Sequence, residues 1–204
     1  MKRIIAHWTA GTWKASTEDR KHYHFIVESD GNVVRGNWPV KNNESIPKGS
    51  SEYAAHTLNC NTQSIGISMA CMAGATESPF HAGNYPMTQQ QFEAMCEKIA
   101  SLCKQYSIEV TPQTVLSHAE VQPTLGIKQR GKWDFTRLPF NPKIVGAKAC
   151  GDFMRERVQY YSKTKSPLSP PPPQPSKVVG VSTTAEPPPQ SFWSKVGAFF
   201  SRSS

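Results

Sequence analysis

The chain has 204 residues, including 17 prolines, and its 23 lysine and arginine residues against 15 acidic residues give a formal net charge of +8. Nine of the prolines lie within residues 163–190, which hold almost no large apolar side chains and therefore predict a disordered, extended linker. No apolar run approaches the ~20 residues of a membrane span, and from the short apolar stretch near the N-terminus we expect no secretory signal. Residues 1–162 remain for one domain with a single hydrophobic core.

The cysteines and the charge narrow the classes of protein further. Five cysteines, an odd number without any Cys-x-x-Cys pair, indicate reduced thiols in a protein made in the cytoplasm and disfavour a structural zinc site built on cysteine pairs. The positive charge favours an anionic partner, which could be nucleic acid, an anionic membrane or another acidic polymer. Because the sequence holds neither a basic helix nor a nucleic-acid-binding motif, we predict no nucleic-acid partner.

The first part of the chain predicts strands. Residues 3–8 indicate a buried strand that ends in a polar turn, so that His7 lies near a strand end. Residues 22–28 and 33–35 are apolar and flank an Asp-Gly pair, which is a strong signal for a β-hairpin. Residues 64–72 predict a central strand, because apolar side chains alternate along it.

Residues 88–106 have the clearest helical pattern. Thr88 and Gln91 have the spacing of a capping box at the N-terminus of this helix. The apolar stripe has a period of 3.6 residues and consists of Phe92, Met95, Cys96, Ile99, Leu102, Cys103 and Tyr106. The two cysteines of the stripe are therefore interpreted as core thiols rather than as metal ligands.

The remaining elements complete a mixed pattern. Residues 114–118 predict a short strand that ends on His118, and residues 119–140 predict a long loop. Residues 144–161 predict a last helix with a weak point at Gly151. The order of strand, hairpin, strand, helix, strand, loop and helix predicts an α/β domain in which helices flank a single mixed β-sheet.

A separate unit is predicted at residues 191–204, after the linker. Five apolar side chains fall on one helical face, with basic residues beside them: Phe192, Trp193, Val196, Phe199, Phe200, Lys195 and Arg202. The pattern predicts a short amphipathic C-terminal helix that is too short to span a bilayer. Docking to an anionic membrane, binding in a partner's groove and folding back onto the domain all remain open for this segment.

Two of the six histidines, His7 and His118, end predicted strands at loops. If both strands end at the same edge of the sheet, the two imidazoles could bind one metal ion. Catalytic zinc has three protein ligands and one open position, and the loop after His118 offers Glu120 and Asp134 as the third ligand. Histidines at strand ends are more often ordinary core or surface residues, so the residues alone leave this site open.

Four segments occur in one order along residues 3–140. They are His7-Trp8-Thr9-Ala10-Gly11; Tyr23-His24-Phe25-Ile26-Val27 followed by Asp30-Gly31; His56 followed by Asn61 and Ser64-Ile65-Gly66-Ile67; and Ser117-His118 followed by Lys132-Trp133-Asp134. In residue type, order and approximate spacing they resemble the motifs of the zinc-dependent N-acetylmuramoyl-L-alanine amidases. That family includes phage endolysins and the peptidoglycan recognition proteins, and the resemblance is to its phage branch.

The resemblance implies a Zn²⁺ ion bound by His7, His118 and Asp134. The stretch from His118 to Asp134 is longer than in compact relatives, and Phe135 stands where many relatives have proline. Both departures concern the match of Asp134 to the third ligand of the family. Glu120 is the alternative third ligand, although the position of Glu120 has no counterpart in the family.

The resemblance also implies roles for residues around the metal. Lys132 matches the lysine that stabilises the oxyanion, and Tyr23 matches the tyrosine that lies over the zinc-bound water in the phage branch. His56 lines the cleft in relatives and is expected to contact the substrate. In the predicted strand 22–28, His22 and His24 alternate with Tyr23, so we interpret His24 as structural and His22 as a surface residue.

The function implied is hydrolysis of the amide bond between N-acetylmuramic acid and L-alanine in peptidoglycan. As an endolysin, the protein would be made in the cytoplasm without a signal peptide, reach the cell wall through a separate pore and act as a monomer. Two alternatives are a non-catalytic peptidoglycan-binding module and a cytosolic amidase that recycles muropeptides. The complete set of three candidate ligands favours an enzyme, and Ser68, where recycling amidases carry a glutamate, disfavours the recycling role.

Overall fold

A computed structural model describes residues 1–164, so the predicted linker and the predicted helix within residues 191–204 lie outside the described residues. Five strands in the described part form one sheet: β1 (Arg3–Trp8), β2 (Phe25–Val27), β3 (Val33–Arg35), β4 (Ser64–Met69) and β5 (Val115–Ser117). Their order is β3-β2-β4-β1-β5; β3 is antiparallel to β2, and the other neighbouring pairs are parallel. The predicted mixed sheet and its hairpin are therefore confirmed.

Helices accompany the sheet: α1 (Thr17–His22), α2 (Gln89–Tyr106), α3 (His118–Leu125), α4 (Ala147–Lys163) and a short 3-10 helix (Val40–Asn43). Helix α2 confirms the clearest helical prediction, since it begins after Thr88, whose side chain accepts a hydrogen bond from the Gln91 backbone N–H at 3.0 Å. None of the helices within residues 1–164 combines the length and the hydropathy that crossing a membrane requires.

Two predictions of local structure are wrong. Helix α1 covers His22, so the predicted strand 22–28 is shortened to Phe25–Val27. The Ser16 hydroxyl accepts from the Asp19 backbone N–H at 3.1 Å, while the Asp19 carboxylate accepts from the Ser16 backbone N–H at 2.8 Å. This reciprocal capping starts a helix where the sequence interpretation continued a strand.

The predicted loop over residues 119–140 begins instead with helix α3, which follows strand β5 without a break. Glu120 accepts a hydrogen bond from the Ser117 backbone N–H at 2.9 Å, which caps the start of α3. Pro123 lies inside this helix, and a proline there is the signal that favoured a loop.

One face of the sheet packs in the main hydrophobic core, and the other combines apolar residues such as Ile5 with polar and small side chains. On β1 the alternation places Ile4, Ala6 and Trp8 in the main hydrophobic core with helices α2 and α4, while His7 points to the opposite face. On β4 the core side chains are Ile65, Ile67 and Met69, and the alternate residues are Ser64, Gly66 and Ser68. These small residues leave room above the second face of the sheet for other side chains.

A buried ion pair joins α3 to α4. Arg155 donates to the Glu120 carboxylate through both guanidinium nitrogens, at 2.9 and 3.2 Å, and donates to the Val115 carbonyl at 2.9 Å. Gly151 on α4 leaves the space that the Glu120 carboxylate occupies, because a Cβ atom at Gly151 would overlap it. The apparent weak point in the predicted helix is therefore a close contact between α3 and α4.

Candidate metal centre and cleft

The sheet brings His7 and His118 together. Strands β1 and β5 are parallel neighbours in which Ala6 pairs with Ser117. The residues that follow this pair, His7 and His118, therefore lie at the same end of the sheet. Asp134 reaches the same place because the Ala119 backbone N–H donates to the Asp134 carbonyl at 2.7 Å. The common strand end that the sequence suggested for His7 and His118 is thus present.

Three side-chain atoms form a nearly equilateral triangle. His7 Nδ1, His118 Nδ1 and Asp134 Oδ2 lie 3.1 Å from one another. Two zinc ligands in a tetrahedral site, each about 2.0–2.1 Å from the ion, are separated by about 3.3 Å. The spacing and the donor set of two imidazole nitrogens and one carboxylate oxygen therefore fit a zinc ion. The three residues are 0%, 4% and 8% exposed.

Glu120, the alternative third ligand, does not belong to this group. Its carboxylate is held by Arg155 and by the backbone N–H of Ser117. Within residues 1–164, the group of three potential ligands that converges on one point contains Asp134 instead. The alternative ligand Glu120 thus stays outside the group, because this side chain caps α3 and anchors α4.

Burial and hydrogen bonding set the charges of this group. Burial, opposed by the hydrogen bond with Asp134, lowers the pKa of His7 to about 4. Burial alone would raise the pKa of Asp134, but hydrogen bonds and charge interactions with His118 and His7 hold it below its usual range. At neutral pH the group therefore offers a neutral imidazole at His7 and an ionised carboxylate, the forms that bind a metal.

Hydrogen bonds behind the two histidines were missed by the sequence interpretation. His118 Nε2 lies 3.0 Å from Gln129 Oε1, and the Gln129 amide nitrogen donates to the carbonyls of Leu58 at 3.0 Å and Ile127 at 3.3 Å. His7 Nε2 lies 3.4 Å from the Thr57 hydroxyl. No local motif marks Gln129, because its contact with His118 depends on how the loop after α3 folds back.

A cleft of about 660 Å³ opens over the triangle, and Tyr23 forms part of its wall. The Tyr23 and His7 rings have centroids 5.2 Å apart. Burial and the negative charge of Asp134 raise the pKa of the Tyr23 phenol well above its usual value. The phenol therefore keeps its proton across the physiological range and acts as a hydrogen-bond donor.

Lys132 and Trp133 line another side of the cleft. The Lys132 side chain is exposed, and its charge contributes to the lowered pKa of His7. Trp133 packs edge-on against Trp8, with ring centroids 4.7 Å apart. This contact fixes the segment between Lys132 and Asp134 against the end of strand β1.

His56 also lines the cleft, but only 7% of its surface is exposed. Its ring lies directly on Gly66, where any Cβ atom would overlap the imidazole. His56 Nδ1 is 2.8 Å from the Thr57 hydroxyl, while its buried Nε2 has no hydrogen-bond partner among the described residues. Gly66 on β4 is thus needed for His56 to reach the cleft.

The other two histidines of this region have separate positions. His24 is buried; its Nε2–H donates to Asn43 Oδ1 at 3.0 Å, and its Nδ1 accepts from the Gly66 backbone N–H at 2.9 Å. His22 is exposed on α1, where it lies 3.0 Å from a Glu18 carboxylate oxygen. The expected alternation of His22 and His24 along one strand is wrong, although their surface and structural positions are as predicted.

Comparison with known proteins gives one family match and several structural likenesses. A family profile described as N-acetylmuramoyl-L-alanine amidase matches residues 1–137, a range that includes His7, His118 and Asp134. No curated protein matches the chain.

Three solved structures illustrate the likenesses. The N-acetylmuramoyl-L-alanine amidase LysC from Clostridium intestinale URNW is 16% identical, with a TM-score of 0.42 over 69% of this chain and 80% of that one. The Staphylococcus aureus hydrolase AmiA in complex with its ligand is 13% identical, with a TM-score of 0.48 over 77% and 72%. Bumblebee PGRP-SA is 17% identical, with a TM-score of 0.40 over 61% and 74%.

Proposed function

The chain belongs to the N-acetylmuramoyl-L-alanine amidase family, and we propose that it is a zinc-dependent enzyme of the phage endolysin type. In this proposal it hydrolyses the amide bond between N-acetylmuramic acid and L-alanine in peptidoglycan. His7, His118 and Asp134 hold the Zn²⁺ ion. The observation that carries the proposal is the 3.1 Å triangle of their ligand atoms at the base of the cleft.

A Zn²⁺ ion held by these three residues would supply a Lewis acid for the amide carbonyl and a water molecule of lowered pKa. Tyr23 keeps its proton and its ring packs beside His7, which supports a role for its hydroxyl in donating a proton to the amide nitrogen that leaves. The Lys132 ammonium stabilises the negative charge that develops on the carbonyl oxygen. His56 contributes to the wall against which the substrate binds.

Ser68 and the complete set of three ligand atoms support the endolysin role. Ser68, at the position of the glutamate in recycling amidases, is buried without a hydrogen-bond partner among the described residues and offers no carboxylate base. The complete set of three ligand atoms supports catalysis over binding alone. We therefore propose that the protein acts on the cell wall rather than on released muropeptides.

The test compares wild type with His118→Ala and Asp134→Ala. We expect both variants to lose zinc and to lose the release of new N-terminal alanine from purified peptidoglycan, because two remaining ligands bind zinc weakly. Zinc is measured by metal analysis after dialysis, and the free amines are measured by labelling. His81→Ala, in an exposed loop, is the control and should retain both properties.

Each assignment has its own contradicting result. Full zinc content and full activity in Asp134→Ala would remove this residue from the ligand set. Wild-type protein that binds zinc but releases no alanine from peptidoglycan would instead support the non-catalytic binding module.

A further inference from the structure

We propose that Gln129 is a positioning residue that holds the His118 ring in the tautomer whose Nδ1 is free to bind zinc. This inference rests on the proposed function for the identity of the metal. It goes beyond that function in assigning a role to a residue that belongs to none of the recognised motifs. The two side chains meet at 3.0 Å, between His118 Nε2 and Gln129 Oε1.

The orientation of the Gln129 amide is set by its other contacts. Its nitrogen lies 3.0 Å from the Leu58 carbonyl and 3.3 Å from the Ile127 carbonyl, and both carbonyls accept hydrogen bonds only. The flipped amide would place its oxygen against these two oxygens. The nitrogen must therefore face the carbonyls, and Oε1 must face His118.

An amide oxygen is an acceptor, so His118 Nε2 has to carry the proton that it donates to Gln129. A neutral imidazole has one N–H, so its Nδ1 then has a free lone pair. That lone pair faces His7 Nδ1 and Asp134 Oδ2, each 3.1 Å away. The hydrogen bond thus selects the His118 tautomer that can bind the ion.

The selection matters because a competing arrangement is available. With its proton on Nδ1, His118 would donate to the Asp134 carboxylate at 3.1 Å and could not coordinate zinc through that atom. Gln129 stabilises the opposite tautomer. Hydrogen bonds of this kind behind a metal ligand commonly change metal affinity by about 10–100-fold.

Within residues 1–164, His7 has no comparable acceptor. Its Nε2 lies 3.3 Å from His56 Nδ1 and 3.4 Å from the Thr57 hydroxyl, both long contacts, and Thr57 is also 2.8 Å from His56. The hydrogen bond to His118 is shorter, and its acceptor is oriented by two further contacts. The tautomer of His118 should therefore depend more on one residue than that of His7.

The position of Gln129 is itself fixed from both sides. Its backbone N–H donates to Gln122 Oε1 on helix α3 at 2.8 Å, and its amide reaches the Leu58 carbonyl on the other wall of the cleft. Gln129 therefore joins α3, the loop that carries Asp134 and the wall beside His56 through hydrogen bonds at both ends of the residue.

The experiment uses the full chain with Gln129→Met and Gln129→Glu. Methionine has a similar length but no acceptor. Glutamate keeps an oxygen that accepts from His118, but its second oxygen faces the Leu58 and Ile127 carbonyls, so it should recover only part of the lost affinity. We expect the zinc dissociation constant, measured by chelator competition, to rise about 10–100-fold in Gln129→Met and by less in Gln129→Glu. Gln105→Glu, on the exposed end of α2, is the matched charge control and should leave zinc affinity unchanged.

A second readout follows the proton itself. In ¹⁵N-labelled, zinc-loaded protein, the His118 Nε2–H signal should be protected from exchange in wild type and in Gln129→Glu, and exposed to exchange in Gln129→Met. A purely structural role would not separate the two variants in this way.

Two results overturn the inference. One is wild-type zinc affinity with a protected Nε2–H in Gln129→Met. The other is a loss of zinc affinity in Gln129→Met while its His118 Nε2–H stays protected, because the hydrogen bond to Gln129 would then not be what holds the tautomer. Wild-type protein that binds zinc without cleaving peptidoglycan would contradict the proposed function but not the role of Gln129.

Discussion

At the scale of single residues, Tyr23 combines a position beside the candidate ligands with a proton that it does not lose. Its ring packs against His7, and burial together with the charge of Asp134 keeps the phenol neutral. A buried neutral phenol donates a hydrogen bond and can release its proton only as charge develops on the acceptor. In this state Tyr23 carries a proton that it can donate and is not a tyrosinate base.

Tyr23→Phe should lower kcat about 10²-fold or more while zinc content stays at the wild-type level. The ring contacts with His7 are retained and only the proton is lost, and a positioned general acid contributes about 10²–10⁴-fold. The measurement is the initial rate of amide cleavage on solubilised peptidoglycan, together with metal analysis. Tyr160→Phe, an exposed tyrosine on α4, is the control. Unchanged kcat in Tyr23→Phe would assign proton delivery to another group.

Protonation of His24 should change the stability of the protein rather than its catalysis. Burial lowers its pKa to about 4, although hydrogen bonds with Asn43 and Gly66 act in the opposite direction. The unfolded chain, with a histidine pKa near 6.5, takes up this proton first as the pH falls. The contribution of His24 is therefore fully present above pH 6.5 and is lost progressively between about pH 6.5 and pH 4.

From pH 7 to pH 5, His24 alone should lower the free energy of unfolding by about 2 kcal/mol. His24→Gln should remove that part of the pH dependence, so its decline over this range should be smaller than in wild type. Urea unfolding at several pH values measures the difference. His22→Gln, exposed on α1, should decline like wild type, and equal declines in wild type and His24→Gln would contradict the lowered pKa.

The site residues differ in how far the sequence could reveal them. Strand ends suggested that His7 and His118 meet, but choosing Asp134 over Glu120 depended on a family resemblance. Both carboxylates follow His118 in the chain, and what separates them is the contact of Glu120 with Arg155 and the Ser117 backbone N–H. Gln129 could not be predicted, because neither its spacing nor its residue type distinguishes it from any other polar loop residue.

At the scale of elements, Gly151 shows how a tertiary contact can reverse a helix preference. Alanine normally stabilises a helix interior by about 1 kcal/mol relative to glycine. At residue 151, however, a Cβ atom would overlap the Glu120 carboxylate, which is held in place by Arg155 and the Ser117 backbone N–H. Moving the carboxylate would disturb the buried ion pair between α3 and α4.

Gly151→Ala should therefore destabilise the protein, by about 2–4 kcal/mol, although it improves helix propensity. Urea unfolding followed by circular dichroism measures the change. Ala149→Gly, at an exposed position of the same helix, provides the propensity control and should cost about 1 kcal/mol. A more stable Gly151→Ala variant would show that the Glu120 carboxylate can move without penalty.

The elements that were predicted correctly have long or repeated patterns, and the missed ones are short. Helix α2 has five turns of apolar periodicity and a capping threonine, and the hairpin has its Asp-Gly turn. Helices α1 and α3 have only 6 and 8 residues. Their capping residues, Ser16 with Asp19 and Ser117 with Glu120, were present in the sequence. For α1 the neighbouring strand pattern outweighed this signal, and for α3 the internal proline did.

At the scale of the whole molecule, the net charge of +8 divides between two parts of the sequence. Residues 1–162 contribute +4, and residues 163–204 contribute the same amount with five basic residues and one acidic residue. A catalytic domain that acts on a carboxylate-bearing wall polymer gains from a modest positive charge. The charge of the C-terminal part accompanies an apolar pattern, which is the combination that favours an anionic membrane surface.

We propose that the C-terminal segment, residues 191–204, docks on anionic membranes. The full chain should then bind liposomes that contain phosphatidylglycerol more strongly than a chain that ends at Thr164, after the last helix of the described domain. Added salt should weaken this binding, because it screens the attraction between basic residues and anionic lipids. Co-sedimentation at two salt concentrations measures the effect.

The contribution of the apolar face can be separated from that of the charge in the full chain. Phe199→Ser with Phe200→Ser removes apolar surface at constant charge, whereas Lys195→Ser with Arg202→Ser removes charge and leaves the apolar side chains. If the segment binds as an amphipathic unit, both double variants should bind less, and only the first should retain the salt dependence of wild type. All of these proteins should cleave soluble peptidoglycan fragments at similar rates, because the changes alter none of the residues that line the cleft. Equal liposome binding by the full chain and the chain that ends at Thr164 would contradict membrane docking.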